Sequence, residues 1–327
     1  MQTVSVVIPV YRAERTLRML YDQLTAVMLQ LTLAFEIIFV EDCGGDGSWA
    51  VIADLAAADS RVRGIRMSRN YGQHNALLCG IRAARYDVTI TMDDDLQHPV
   101  SEIAPLLEAL GPGIDVVYGA PTTEQHGVLR DLASRLTKLA LASTMGAETA
   151  RNVSAFRAFR TRLREGFRDY RSPNVSIDVL LTWSTSRFAV LKVRHAPRTI
   201  GVSGYTMRHL IRHAINLMTG FSTLPLQIAS VIGFVFMLFG VLVFVYVLGN
   251  FLINSHTVPG FAFLASLTTI FAGAQLFALG VIGEYLACMH FRSMDRPAYL
   301  VRETVATDTV DLTDVPEFMS KKAISLE

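Results

Sequence analysis

A long run without charged residues is the feature that most limits what this chain can fold into. No Asp, Glu, Lys or Arg lies between Arg212 and Glu284. Within the run, residues 226–253 and 261–282 are apolar and long enough for helices that cross a hydrocarbon core, which takes about 20 residues. One charge at mid-bilayer costs about 2.5 to 3.5 kcal/mol. The sequence therefore predicts two transmembrane helices rather than a pair of buried core helices.

The charges around this run predict its orientation. The connection 254–260 carries no basic residue, whereas Arg208, Arg212, Arg292 and Arg296 flank the outer ends. The positive-inside rule then predicts a hairpin whose short loop faces outward, with both termini in the cytoplasm. The N-terminus lacks a basic region followed by a long apolar core, so no signal peptide is predicted.

Residues 205–225 predict an amphipathic helix at the membrane interface. Met207 and Leu210 belong to an apolar stripe at helical spacing, and Arg208 and Arg212 lie on the other side. Basic residues on such a helix meet anionic lipid headgroups. Packing of the same helix on a soluble domain is an alternative, and the two are compatible. Residues 283–327 are assigned to a cytoplasmic juxtamembrane segment and tail.

The part before residue 205 alternates between strand and helix patterns. Strands are predicted at 4–10, 35–42, 63–68 and 87–93, and helices at 14–31, 48–57 and 74–85. Such alternation predicts βαβ units and a parallel sheet, hence an α/β domain over residues 1–204. A dinucleotide-binding domain is the obvious rival, but PVYRAER follows the first strand where GxGxxG would be needed.

Composition excludes other classes. A net charge of +1 argues against a nucleic-acid-binding protein. The three cysteines are far apart and show no CxxC spacing, which argues against a zinc site and against a disulfide framework.

Polar clusters follow three of the predicted strands. They are Pro9, Tyr11 and Arg12 after the first strand, Glu41 and Asp42 after the second, and Asp93, Asp94 and Asp95 after the fourth. Carboxyl ends of parallel strands gather ligands. Adjacent carboxylates repel each other unless a cation holds them, and a divalent metal is the usual candidate. A solvated acidic turn is the alternative.

Several motifs resemble a known family. VSVVIPVYRAERTL, EIIFVEDCGGDGS, SRNYGQHNALLCGI and TMDDDLQHP resemble the nucleotide-sugar domain of family 2 glycosyltransferases with the GT-A fold, a Rossmann-like α/β architecture. RHAPRTIGVSGYTMRHL, FSTLPLQ and GEYLACMHFRSMDRPAY are similar to the polyisoprenyl-phosphate glycosyltransferases, which include dolichol-phosphate mannose synthases, bactoprenol-phosphate glucosyltransferases and undecaprenyl-phosphate aminoarabinose transferases. The resemblance covers residues 3 to 300.

The resemblance implies a donor site. Asp93, Asp95 and Gln97 match the residues that hold Mg²⁺ or Mn²⁺ against the donor diphosphate, and Asp95 is counted among the catalytic residues. The implied nucleotide-sugar-binding residues are Pro9, Tyr11, Glu14, Asp42, Asp93 and Asp94. His74 is expected to have a capping or core role rather than to contact a ligand.

The resemblance also implies an acceptor site. Arg130, Ser134, Arg198 and Ser203 match residues that bind the acceptor phosphate, and Arg130 and Arg198 are counted as catalytic; surface ion pairing is the alternative for both arginines. The sequence departs from the family pattern where Pro121 replaces an expected Arg and Gly204 replaces a frequent Lys. Arg157 and Arg208 are the candidates to compensate.

The implied function is inverting transfer of a sugar from a nucleotide-sugar, a UDP-sugar in the commonest case, to a polyprenyl phosphate such as undecaprenyl phosphate. The product would be a lipid-linked sugar for cell-envelope glycan or lipopolysaccharide modification. The implied location is the inner (cytoplasmic) membrane, with the lipid bilayer as a partner and no nucleic acid. A homo-oligomer is compatible with the resemblance. A processive polysaccharide synthase and a non-catalytic membrane scaffold are the alternatives.

Overall fold

A computed structural model describes residues 2–121, 152–172, 174–194, 223–254, 260–294 and 296–306. Its sheet has eight strands in the order β7-β5-β6-β4-β1-β2-β3-β8. The strands are β1 Thr3–Val10, β2 Ala34–Glu41, β3 Val62–Met67, β4 Val88–Thr91, β5 Val116–Pro121, β6 Arg157–Arg160, β7 Phe188–Val193 and β8 Val301–Val305. The helices are α1 Leu17–Leu31, α2 Ser48–Ala58, α3 Gln73–Ala83, α4 Ile103–Ala109, α5 Ile177–Ser184, α6 Leu224–Asn254 and α7 Phe261–Ser293.

The predicted parallel sheet is confirmed in strands β1 to β4. β1 pairs in parallel with β2 on one side and with β4 on the other, so that Val6 lies opposite both Ile37 and Ile90. Strands buried on both faces read as continuous apolar runs, and β1 is buried from Val4 to Val10. Helices α1 and α2 pack on one face of the sheet, and α3 and α5 pack on the other.

The strands beyond β4 make the sheet mixed. β6 lies between β4 and β5 and is antiparallel to both, and β7 pairs in parallel with β5. Arg157 of β6 is the register partner of Thr91, the last residue of β4, and also of Tyr118 in β5. The end of β4 is therefore supported from the β6 side.

The chain returns to the sheet after α7. Ala298 and Tyr299 are buried against the core, and the Ser68 amide donates a hydrogen bond to the Leu300 carbonyl at 2.9 Å. β8 then pairs antiparallel to β3. From its sequence this segment is expected to be a juxtamembrane region and tail without a strand, because VRETV carries charges and lacks an apolar run.

Helices α6 and α7 carry the apolar run. Residues Pro225–Asn250 and Ile270–His290 are long and apolar enough to cross a membrane. The second window starts later than the predicted 261–282 and includes Glu284. Large apolar side chains of α6 are exposed, among them Phe234 at 62% and Tyr246 at 70%. A core helix of a soluble protein would bury these side chains, so their exposure favours a lipid environment.

Candidate active site

The loops after β1, β2 and β4 meet at one edge of the sheet, as the sequence predicts. β1 lies between β2 and β4, so their carboxyl ends are neighbours. The Tyr11 amide donates a hydrogen bond to Asp94 Oδ2 at 3.0 Å, which joins the first loop to the third. Asp42 accepts hydrogen bonds from the amides of Tyr71 at 2.7 Å and Gly72 at 2.8 Å, which joins the second loop to the segment before α3.

Asp42 is buried in this arrangement. Burial raises the pKa of its carboxyl group, and the two amide donors from Tyr71 and Gly72 oppose that rise by stabilising the charge. Both carboxylate oxygens therefore hold the loop that leads into α3. A carboxylate has about four acceptor positions, so these two bonds leave acceptor capacity. Contact between Asp42 and a nucleoside base stays a prediction.

The residues predicted beside Asp42 differ in exposure. Pro9 is buried within β1 opposite Val40, whereas the side chain of Tyr11 is half exposed. Glu14 is exposed and its Oε2 accepts a hydrogen bond from the Gly47 amide at 3.1 Å, directly before α2. A Cβ atom at Gly47 would lie 2.6 Å from Glu14 Cδ, so a larger residue there would displace the Glu14 carboxylate. Glu14 thus links the first loop to the start of α2.

Each of the three consecutive aspartates has its own partner. Asp93 Oδ1 accepts a hydrogen bond from Gln73 Nε2 at 2.6 Å, and Asp94 holds the Tyr11 amide. Asp95 is 9% exposed, and its Oδ1 accepts a hydrogen bond from the Gln97 amide at 3.1 Å. These bonds direct the carboxylates to different neighbours and reduce their mutual repulsion.

The donor atoms at this edge suit a hard divalent cation. Asp93, Asp95 and Gln97 offer carboxylate and amide oxygens, the ligand type that Mg²⁺ and Mn²⁺ prefer. Among the residues that the structure describes, no group of three or more His, Cys, Asp or Glu side chains is arranged to hold a metal. The two carboxylates and one amide of Asp93, Asp95 and Gln97 fit a cation that takes its remaining ligands from substrate phosphates and water.

The predicted acceptor residues Arg130, Ser134, Arg198 and Ser203 lie outside the described residues, as do Gly204 and Arg208. Their roles stay predictions. Pro121 is described and is the last residue of β5.

Arg157 does not compensate for a missing phosphate ligand. Its side chain is 1% exposed, and it forms an ion pair with Asp178 in the first turn of α5. Its Nε also donates a hydrogen bond to Thr91 Oγ1 at 3.0 Å. The proposal of compensation by Arg157 is wrong, because this guanidinium is committed to buried partners.

His74 has the capping role that the sequence suggests. Its Nδ1 accepts a hydrogen bond from the Ile177 amide at 3.4 Å, at the beginning of α5. An amide in the first turn of a helix has no partner within the helix, so His74 satisfies one such donor.

Sequence reasoning missed Gln73 and Asp178. Gln73 is the first residue of α3 and supports Asp93. Asp178 is an acid inside the apolar stretch SIDVLL. A buried acid in an apolar helix needs a partner, which is the signal that would have marked it.

A cleft of about 750 Å³ lies at the opposite edge of the sheet, among residues that include Gln2, Asp87 and Asp115. Asp115 is paired there with both Arg162 and Arg187. The two arginines share this one carboxylate, and we assign the cleft no function.

An open α/β sheet with acidic side chains after its fourth strand is the arrangement of a GT-A glycosyltransferase domain. The model of glycosyl transferase family 2 matches residues 5–170. The chain belongs to this family, which confirms the resemblance seen in its motifs.

Curated relatives extend over nearly the whole chain. One from Aeromonas hydrophila subsp. hydrophila is 33% identical over 309 residues, covering 94% of this chain and 95% of its own, and is named undecaprenyl-phosphate 4-deoxy-4-formamido-L-arabinose transferase. A relative of the same name from Serratia proteamaculans is 34% identical over 306 residues, covering 92% of this chain and 94% of its own. Among solved structures, mannosyl-3-phosphoglycerate synthase from Rubrobacter xylanophilus is 20% identical with a TM-score of 0.49, covering 66% of this chain and 72% of that one. A structural similarity of this size supports no inference about activity.

Proposed function

We propose that this glycosyltransferase moves a sugar from a UDP-sugar to undecaprenyl phosphate at the cytoplasmic face of the inner membrane. The observation that carries the proposal is the acidic cluster Asp93 to Asp95 at the carboxyl edge of the sheet, in a chain that also holds two apolar helices. The names of the relatives support the acceptor and suggest a 4-deoxy-4-formamido-L-arabinose as the sugar.

The proposed reaction is a single displacement. An oxygen of the lipid phosphate attacks the anomeric carbon, the bond from that carbon to the UDP oxygen breaks, and the electron pair leaves with UDP. The configuration at the anomeric carbon inverts. The second pKa of a phosphate monoester is about 6, so the acceptor is mostly ionised at neutral pH and needs no strong base. The protein must mainly position the reactants and stabilise charge.

The chain's own residues divide this work. Asp93, Asp95 and Gln97 would hold Mg²⁺ or Mn²⁺, which when bound neutralises charge on the departing diphosphate. Asp94 fixes the backbone at Tyr11, and Asp42 fixes the loop before α3. These two loops would form the walls of the nucleoside pocket.

The remaining donor and acceptor roles rest on the motifs. Pro9 and Glu14 would contribute to the nucleoside side of the pocket. The acceptor phosphate would be held by Arg130, Ser134, Arg198 and Ser203.

The apolar helices would keep the catalytic domain beside its lipid substrate. The acceptor phosphate lies at the membrane surface while its isoprenoid chain stays in the bilayer. A tethered enzyme meets it at a higher effective concentration than a freely diffusing one. The amphipathic segment 205–225 would lie at this surface, and both termini would be cytoplasmic.

The test is transfer from a panel of UDP-sugars, including UDP-4-deoxy-4-formamido-L-arabinose, to undecaprenyl phosphate in detergent. We expect a sugar lipid that is extractable into organic solvent and formed only with Mg²⁺ or Mn²⁺. Asp95→Ala should abolish transfer because it removes a metal ligand. Asp54→Ala is the control, because Asp54 lies on α2 in an exposed ion pair with Arg18.

Other outcomes would contradict the proposal. A glycan that grows by repeated addition would favour a processive synthase. Full activity of Asp95→Ala, or transfer in the presence of a chelator, would remove the metal role. No transfer by folded, membrane-inserted protein from any UDP-sugar would overturn the proposed donor and acceptor pair.

A further inference from the structure

We infer that the buried pair formed by Arg157 and Asp178 is a positioning device that holds Asp93 in the orientation needed to bind the metal and the donor diphosphate. The inference rests on the proposed function, because it concerns the same metal site. Neither residue touches the reactants. Both act through the strand and the helix that carry the site.

The pair is almost completely removed from solvent. Arg157 is 1% exposed and Asp178 is 5% exposed, and the Arg157 Nη1 donates to Asp178 Oδ1. The Tyr118 hydroxyl donates a second hydrogen bond to the same oxygen at 3.1 Å. Arg157 also lies over the Tyr118 ring, 5.8 Å from its centre. Three elements, β5, β6 and α5, meet at this pair.

One path leads from the pair to the metal residues through β4. Arg157 Nε donates to Thr91 Oγ1 at 3.0 Å, and the Thr91 hydroxyl donates to the Ala155 carbonyl at 2.7 Å. Thr91 is the last residue of β4, two positions before Asp93. The guanidinium therefore fixes the point at which the chain leaves the sheet and begins the acidic turn.

A second path leads to the same carboxylate through two helices. Asp178 lies next to Ile177, whose amide donates to His74 Nδ1 at 3.4 Å. His74 follows Gln73 at the start of α3, and Gln73 Nε2 donates to Asp93 Oδ1 at 2.6 Å. Asp93 is thus supported from the strand that carries it and from a neighbouring helix. The two paths meet at the buried pair.

Stability alone does not account for such a pair. Taking two charges out of water costs several kcal/mol per ion, and apolar residues of similar volume are often as stable or more stable. Their directional bonds, however, fix the relative orientation of strands and helices in a way that apolar contacts do not. Substitution of a residue that orients a metal ligand typically changes the affinity for the metal.

A matched pair exists at the other edge of the sheet. Glu36 and Arg63 are joined at 2.9 Å, with side chains 5% and 15% exposed. Glu36 Oε1 also accepts hydrogen bonds from Ser5 Oγ and the Arg85 amide, each at 2.7 Å. This pair is also buried and hydrogen-bonded, but it lies near the amino ends of β2 and β3, at the opposite edge of the sheet from the aspartates after β4.

The experiment compares Asp178→Asn with Glu36→Gln in the full-length protein in detergent. We measure the Mn²⁺ concentration that gives half-maximal transfer, the KM for undecaprenyl phosphate, calorimetric binding of UDP with Mn²⁺, and Tm. Both variants should lower Tm. Only Asp178→Asn should raise the Mn²⁺ requirement, by about 10-fold or more, with weaker UDP binding and an unchanged lipid KM.

Thr91→Val and Thr91→Ser keep the test informative if Asp178→Asn does not fold. Thr91→Val removes the hydroxyl that accepts the hydrogen bond from Arg157 Nε, and Thr91→Ser retains it. We expect Thr91→Val to raise the Mn²⁺ requirement and Thr91→Ser to restore it toward the wild-type value.

Two results would overturn the inference, and they can be told apart. In the first, wild-type protein binds UDP with Mn²⁺, and the variants have a lower Tm but the same Mn²⁺ requirement. The pair would then be merely structural, and the proposed function would stay intact. Wild-type protein that shows no Mn²⁺-dependent UDP binding would overturn the proposed function itself, and the inference with it.

Discussion

Three residues at the carboxyl edge of the sheet adopt a backbone conformation that favours glycine. Arg12 has φ 56°, Cys43 has φ 54° and Leu96 has φ 61°. Each lies in a loop after one of the strands β1, β2 and β4. Such conformations cost about 1 kcal/mol or more for residues with a side chain and concentrate at functional sites. Their shared location at the carboxyl edge therefore supports the assignment of this edge as the site.

At the same scale, Asp59 allows a prediction of how the stability of the folded state depends on pH. Hydrogen bonds from Arg61 lower the pKa of Asp59 from 3.8 to about 2. The carboxylate therefore stabilises the folded state above pH 4, and this contribution is lost as the pH falls toward 2. Because Arg61 is partly exposed, we expect about 1 kcal/mol at pH 7.

The measurement is Tm of Asp59→Asn and wild type at several pH values. Asp59→Asn should lower Tm at pH 7, and the difference should shrink between pH 5 and pH 3. Asp22→Asn, an exposed substitution on α1, is the control. A difference that stays constant or grows on acidification would contradict the assigned direction.

At the scale of elements, α3 lies very close to β1. Gly80 of α3 makes the close approach, because a Cβ atom there would lie 2.3 Å from Val7 Cγ1 and 3.1 Å from Val40 Cγ2. Both valines belong to buried strands and cannot move without disturbing the sheet. The position of α3 determines where Gln73 meets Asp93, so this contact bears on the site as well as on stability.

Gly80→Ala should lower the free energy of unfolding by about 1 to 3 kcal/mol, because overpacking forces the helix from the sheet. Alanine is the better helix former by about 1 kcal/mol, so a gain in stability would show that the helix can shift freely. Thermal unfolding measures the effect. Gly111→Ala is the control, since the nearest atom to its Cβ would be the Glu108 carbonyl oxygen at 3.8 Å.

The elements also differ in how well the sequence predicts them. β1 and β2 are recognisable because both of their faces are buried, which leaves continuous apolar runs. β6 is not predicted from the sequence, because RAFR has two arginines in four residues. One of them, Arg157, is accommodated in the core by its ion pair with Asp178 on another element. The position of the aspartates at the carboxyl edge can be predicted from the order of strands and helices along the chain. The support that Gln73 gives to Asp93 cannot, because it depends on packing between segments that are distant in the sequence.

At the scale of the whole molecule, the sheet contains strands from the chain before and after the two apolar helices. β7 and β8 are its outermost strands, and α6 and α7 lie between them in the sequence. β8 covers the edge of β3, which would otherwise present unpaired amide and carbonyl groups. The segment after α7 is therefore part of the catalytic domain and not only a tail.

A chain that ends at Leu300 lacks β8, and a chain that ends at Ala306 keeps it. We expect the shorter chain to have a lower Tm, by about 2 to 4 °C for each kcal/mol of lost stability. We also expect it to aggregate more readily, because the edge of β3 is then exposed. Thermal unfolding and size-exclusion chromatography in detergent compare the two. Equal Tm and equal aggregation would show that β8 contributes nothing to the sheet.

The place of β8 in the sequence also sets an order on synthesis. The ribosome makes β1 to β7 first and both apolar helices next, and only then the strand that closes the edge of β3. The sheet cannot reach its final form until the hairpin has left the ribosome. A chain interrupted within either apolar helix therefore leaves the edge of β3 open, so the catalytic domain is completed only after both helices have been made.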